Sequence, residues 1–172
     1  MWKNNMFTII CCLFLATSCS QHPRQLVILH TNDCHSRVEP TSKNMGGFEY
    51  RKQLIDSIRA TNANVLVLDA GDLVQGTPYF NIYGGKVEVE AYNAMGYDAI
   101  TLGNHEFDNG IDSLAKMLQS AKFKVVCSNY DVVGTALENN VEKYLVLDKE
   151  GLKVGIIGLG VTPDKVILPN NF

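Results

Sequence analysis

The side chains best suited to hold cations or move protons fall in three short clusters: Asp33 with His35, then Asp72, then Asn104 with His105 and Asp108. Carboxylate oxygens, imidazole nitrogens and an amide oxygen suit borderline or harder divalent ions such as zinc, manganese, cobalt or iron, whereas thiolate-rich sets select softer ones. Each cluster follows an apolar run: Leu26-Val27-Ile28-Leu29, Val65-Leu66-Val67-Leu68 and Ala99-Ile100-Thr101-Leu102. The runs predict buried strands, and loops at the C-terminal ends of such strands converge on the ligand crevice of an open α/β sheet. A glycine precedes both Asp72 and Asn104, which lets backbone approach closely there.

Helices are predicted between the strands. Residues 47–60 carry Phe48, Leu54, Ile55 and Ile58 at helical spacing, residues 87–95 end at Gly96, and residues 111–120 form a third amphipathic stretch. Three β-loop-α units in succession indicate an α/β layered sandwich, a sheet with flanking helices on both faces. Residues 124–127 predict another strand. Tyr144-Leu145-Val146-Leu147 and Val154-Gly155-Ile156-Ile157 flank Lys149-Glu150-Gly151 as a hairpin. No closing helix is predicted in residues 159–172, so the domain is expected to be incomplete at its C-terminus.

The 172 residues carry a formal net charge of −3, with 46% hydrophobic and 19% charged residues, which fits one globular domain and excludes disordered or fibrous classes. The 15 Lys and Arg are scattered and leave no cationic surface for a nucleic-acid duplex. Lys3 precedes an apolar run from Met6 to Ala16, too short for the roughly 20 residues of a transmembrane helix and suited to an export signal. Leu15-Ala16-Thr17-Ser18-Cys19 is similar to a bacterial lipobox. Residues 1–18 are therefore expected to be a lipoprotein signal peptide, Cys19 the acylated residue, residues 19–25 a tether and residues 26–172 the domain, lipid-anchored in a bacterial envelope. The alternative for Cys19 is an ordinary cysteine beside a conventional cleavage site. Cys34 and Cys127 give no disulfide framework.

Asp33-Cys34-His35, Gly71-Asp72-Leu73-Val74-Gln75-Gly76 and Gly103-Asn104-His105-Glu106 resemble the successive Asp-x-His, Gly-Asp and Gly-Asn-His-Glu blocks of calcineurin-like metallophosphoesterases. The longer strings Leu29-His30-Thr31-Asn32-Asp33 and Tyr97-Asp98-Ala99-Ile100-Thr101-Leu102-Gly103-Asn104-His105-Glu106-Phe107-Asp108 resemble the N-terminal catalytic domain of the secreted bacterial 5′-nucleotidase family, from about Leu26 onward. The resemblance implies two divalent metal ions, with Asp33 and His35 on one, Asp72 bridging and Asn104 on the other, and a hydroxide held between them attacking phosphorus. It implies that His105 stabilises the transition state, oriented by Asp108. The implied substrate is a nucleotide or related phosphorylated small molecule, with cyclic phosphodiester or nucleotide-sugar hydrolysis as the nearest competitor.

The family pattern places further histidines downstream for the second ion. Here the histidines are His22, His30, His35 and His105, so the second ion lacks imidazole ligands and the chain by itself is expected to be inactive. A non-catalytic envelope lipoprotein that keeps the fold and at most one metal is the alternative. His30 is expected in the core, His22 in the tether, and Cys34 in packing, turned away from both neighbours along an extended segment. Glu106 either orients a ligand or is solvated, and Gln75 and Gly76 shape the loop after Asp72.

Overall fold

The computed structural model describes residues 25–171; the signal segment, Cys19 and His22 lie outside the described residues. The strands predicted from the apolar runs form β1 (Val27–Thr31), β2 (Val65–Asp69), β3 (Ala99–Ile100) and β4 (Lys124–Val126), joined by β5 (Val141–Glu142). They make one parallel sheet in the order β1-β2-β3-β4-β5. The register pairs Thr31 with Asp69 and Asp69 with Ile100, so the chain leaves neighbouring strands on one rim.

The connecting helices are α1 (Gly47–Arg59), α2 (Pro78–Tyr83), α3 (Lys86–Met95) and α4 (Ile111–Leu118). All the long ones pack on the same face. Phe48 and Ile55 of α1, Val89 and Tyr92 of α3, and Leu114 and Leu118 of α4 share one core with Val65, Val67, Ile100 and Val125 of the sheet. The expectation of helices on both faces is therefore corrected. The physical reason lies in strand order: right-handed crossovers that always step the same way across a sheet deposit every helix on one side. The opposite face receives the hairpin of β6 (Leu145–Lys149) and β7 (Leu152–Ile156), whose Leu145, Leu147 and Ile156 pack on Leu68, Ala99 and Val126. Glu150 and Gly151 turn the hairpin with φ of 50° and 81°, the left-handed pair that a tight two-residue turn between twisted strands requires.

The hairpin lies over the middle of the sheet and leaves β1 uncovered on that side. Ile28 is 53% exposed and His30 is exposed, whereas Val27 and Leu29 face the helical core. Strand β1 is thus a half-buried edge strand and His30 is not a core histidine. Helix α2 was not predicted: six residues beginning at Pro78 are too few to show a period. Among the described residues no helix is long and apolar enough to cross a membrane. Cys34 and Cys127 are both buried and free.

Two side chains fasten the far ends of the layers. Arg59, at the end of α1, donates from both terminal nitrogens to the carbonyls of Met95 and Gly96, capping α3. Asp98 accepts the Val67 N–H at 2.8 Å with one oxygen and Lys149 Nζ at 2.6 Å with the other, tying β2 and the hairpin to the entrance of β3. Removing the carboxylate strands a backbone donor and a half-buried ammonium. Asp98→Ala is expected to cost about 2 kcal/mol of stability, measured as a lower urea midpoint at unchanged slope.

Candidate metal centre

The three loops on the rim are held together by backbone before any side chain acts. Beyond the ends of β1 and β2, parallel pairing continues: Ala70 N–H donates to Thr31 O at 2.8 Å, Asp33 N–H to Gly71 O at 2.9 Å, and His35 N–H to Asp72 O at 2.9 Å. The Asp-x-His and Gly-Asp segments are therefore bonded residue to residue. Asp33, His35 and Asp72 all sit in the left-handed region, with φ of 51°, 45° and 55°. Asp and His tolerate that region better than most residues, but it still costs each about 1 kcal/mol, and the ladder holds them there.

The loop after β3 is brought in by glycine. A Cβ on Gly71, whose φ is +101°, would lie 2.4 Å from Gly103 N, and one on Gly103 would lie 2.2 Å from Asp72 Oδ1. Only bare backbone fits at either position. The Asp72 carboxylate then accepts the His105 N–H at 2.9 Å, so Asn104 stands between two residues that both touch Asp72.

His35, Asp72 and His105 each offer a donor atom, and these atoms all lie within 4.8 Å of one another. The two imidazoles meet edge to face with centroids 5.1 Å apart. Asp33 Oδ1 lies 3.9 Å from His35 Nε2 and adds a second carboxylate at the border of the cluster. His105 Nδ1 is 3.0 Å from Asp108 Oδ2, an arrangement that leaves Nε2 as the free face of the ring. A half-buried group of two imidazoles and one carboxylate, with Asp33 beside it, fits a divalent cation of borderline hardness. The geometry thus gathers His35, Asp72 and His105 most closely, with Asp33 and Asp108 one contact away.

Glu106 is 3% exposed, and its carboxylate accepts the N–H groups of Asp72 at 3.0 Å, Leu73 at 2.8 Å and Gly103 at 2.7 Å. It staples the Asp72 loop to the Asn104 loop and is not a solvated loop acid. Burial, with Asp72 alongside, pushes its carboxyl up to about 7 against the pull of those three donors. Gln75 Oε1 lies 3.3 Å from His35 Nδ1, so Gln75 orients an imidazole as well as shaping its loop. Cys34 is buried as expected, but not through strand alternation: the left-handed turn at Asp33 and His35 tucks its sulfur 3.6 Å from Asp69 Oδ2. Asp69 carried no signal in the sequence. It is the last residue of an apolar strand, yet it is buried and accepts from Thr31, Tyr92 and the Gly71 N–H.

Comparison with known proteins agrees with this geometry. The calcineurin-like phosphoesterase family matches residues 26–164. The snake venom 5′-nucleotidase of Naja atra is 41% identical over 159 residues, covering 85% of this chain and 30% of its own, and the Homo sapiens 5′-nucleotidase is 41% identical over 148 residues, covering 78% and 26%. Among solved structures, the 5′-nucleotidase precursor from Thermus thermophilus superposes with a TM-score of 0.77 at 41% identity over 84% of this chain and 31% of that one. The Haemophilus influenzae NAD nucleotidase gives 0.73 at 36% identity over 78% and 29%. The chain thus spans less than a third of the length of these relatives. With three loops of candidate ligands on the rim of one parallel sheet, and these matches across most of its length, the chain belongs to the calcineurin-like phosphoesterase family.

Proposed function

We propose that this chain carries the cation-holding rim of a 5′-nucleotidase-type phosphoester hydrolase that acts on nucleotides or related phosphorylated small molecules. The observation that carries the reading is the convergence of His35, Asp72 and His105 donor atoms within 4.8 Å at the ends of adjacent parallel strands. Divalent cations bound there supply positive charge that polarises a phosphoryl group and acidifies the attacking water. Asp33, His35, Asp72 and Asn104 are assigned to hold them. His105, steadied through Nδ1 by Asp108, turns Nε2 to the phosphoryl or leaving oxygen and stabilises charge there. Glu106 and Gln75 keep these groups aligned by fixing backbone N–H groups and the His35 ring.

The names of the relatives, 5′-nucleotidase and NAD nucleotidase, support a nucleotide substrate. The lipobox-like string before Cys19 supports export and lipid anchoring of the domain that starts near residue 26. One feature favours a second reading, a surface lipoprotein that binds a single cation without turnover: among the described residues the donors that converge come from three side chains, His35, Asp72 and His105, a set sufficient for one cation.

Cation counting separates the two. In a chain extended to the length of these relatives, two tightly bound cobalt or manganese ions per chain, with phosphate released from nucleoside monophosphates and abolished by chelator, is the expected result; one ion and no release supports the second reading. Asp72→Asn is expected to weaken cation binding at least about tenfold in calorimetric titration. Gly103→Ala drives a methyl into the Asp72 carboxylate and is expected to do the same without removing a donor atom. In the chain extended to the length of these relatives, His105→Asn is expected to lower turnover by about 10²-fold or more while cation affinity stays within about threefold, whereas a comparable loss of both would make His105 a ligand.

A further inference from the structure

Beneath the three loops lies a buried polar knot that the proposed chemistry does not use. Its centre is Asp69, 4% exposed, at the end of β2. One oxygen accepts the Gly71 N–H at 2.8 Å. The other accepts the Thr31 hydroxyl from the end of β1 and, at 2.9 Å, the Tyr92 hydroxyl from α3, with Cys34 Sγ also alongside. Thr31 Oγ1 meets Tyr97 OH at 2.7 Å, Tyr92 and Tyr97 stack with centroids 4.0 Å apart, and Arg51 reaches Tyr92 OH at 3.5 Å from α1.

A carboxylate in a core is costly, and an apolar residue would pack at this strand end with less desolvation. Its contacts give it a task that an apolar residue could not perform. They join Thr31, two residues before Asp33, to Gly71, one residue before Asp72, and fix both to α3. Gly71 is also the residue whose carbonyl receives the Asp33 N–H and whose Cα abuts Gly103. Every loop of the metal centre is thus within one hydrogen bond or one backbone contact of residues that Asp69 fixes.

We propose that Asp69 is a positioning residue that sets the spacing between the Asp33–His35 and Asp72 loops, with Tyr92 as its anchor on the helical layer, and so tunes cation affinity without touching the cation. The proposal rests on the reading of the rim as a metal centre. Burial holds the Asp69 carboxyl above its usual range, opposed by the donors around it, which is the balance expected of a group kept for its hydrogen bonds.

Cobalt(II) titration of the protein, followed by visible absorption, tests it on the parent, Asp69→Asn, Tyr92→Phe and Asp98→Asn. The last variant breaks the Lys149 pair at the opposite end of the sheet and controls for lost stability. Asp69→Asn is expected to weaken cobalt binding about tenfold, with Asp98→Asn within about twofold of the parent. Equal affinity in Asp69→Asn and the parent, or an equal loss in Asp98→Asn, overturns the positioning role. Should Asp69→Asn fail to fold, Tyr92→Phe decides, since it removes one hydroxyl donor: a loss of about threefold is expected and no loss overturns the proposal. A parent that takes up no cobalt overturns the metal-centre reading itself, a different outcome from intact uptake by Asp69→Asn.

Discussion

The centre depends on a contact between two stretches of bare backbone. Gly71 and Gly103 approach so closely that neither has room for a methyl group, and this is what lets the loop after β3 reach the carboxylate at the end of β2. Close-packed backbone alone would leave polar groups without partners at the junction. Glu106 answers that need by accepting N–H groups from both sides of the contact, and Asp69, one layer deeper, accepts the Gly71 N–H together with the Thr31 and Tyr92 hydroxyls. Two buried acids therefore hold a seam whose desolvation is unfavourable for each of them, and the seam stays closed because each makes several hydrogen bonds.

The sheet contributes direction. Because its strands follow one another in chain order, the right-handed crossovers stack the helices on one face and bring every strand out toward the same rim. The helical face supplies the large apolar core and, through Tyr92, the anchor for Asp69. The hairpin covers the middle of the other face, and Asp98 with Lys149 locks it to the sheet away from the rim. Stability is thus concentrated beneath and behind the site. The residues that would meet a cation, Asp33, His35 and Asp72, sit in left-handed conformations that the surroundings impose.

Most of this architecture was legible in the residues. The apolar runs marked β1 to β4, the helical spacing marked α1, α3 and α4, and the glycines before Asp72 and Asn104 marked the close approach. What stayed hidden shares a cause. Periodicity reports local burial but not strand order, so neither the placement of the helices on one face nor the exposure of His30 on an edge strand could be read. The two-residue strand β5 and the six-residue α2 are too short to show a period. Asp69 and Glu106 are acids whose work depends on which N–H groups lie around them, a fact of tertiary packing. Glu106 was open to two readings until its burial and three donors decided between them. The burial of Cys34 was anticipated for the wrong reason, since alternation along a strand fails where φ turns positive.

The central claim is that one rim of this sheet assembles a divalent-cation site from loops distant in sequence. Crystals of the protein loaded with zinc, with anomalous scattering recorded across the zinc absorption edge, address it most directly. Anomalous density is predicted within about 2.0–2.2 Å of a His35 ring nitrogen and an Asp72 carboxylate oxygen. Zinc bound elsewhere on the molecule, with the space between His35, Asp72 and His105 empty, would contradict it.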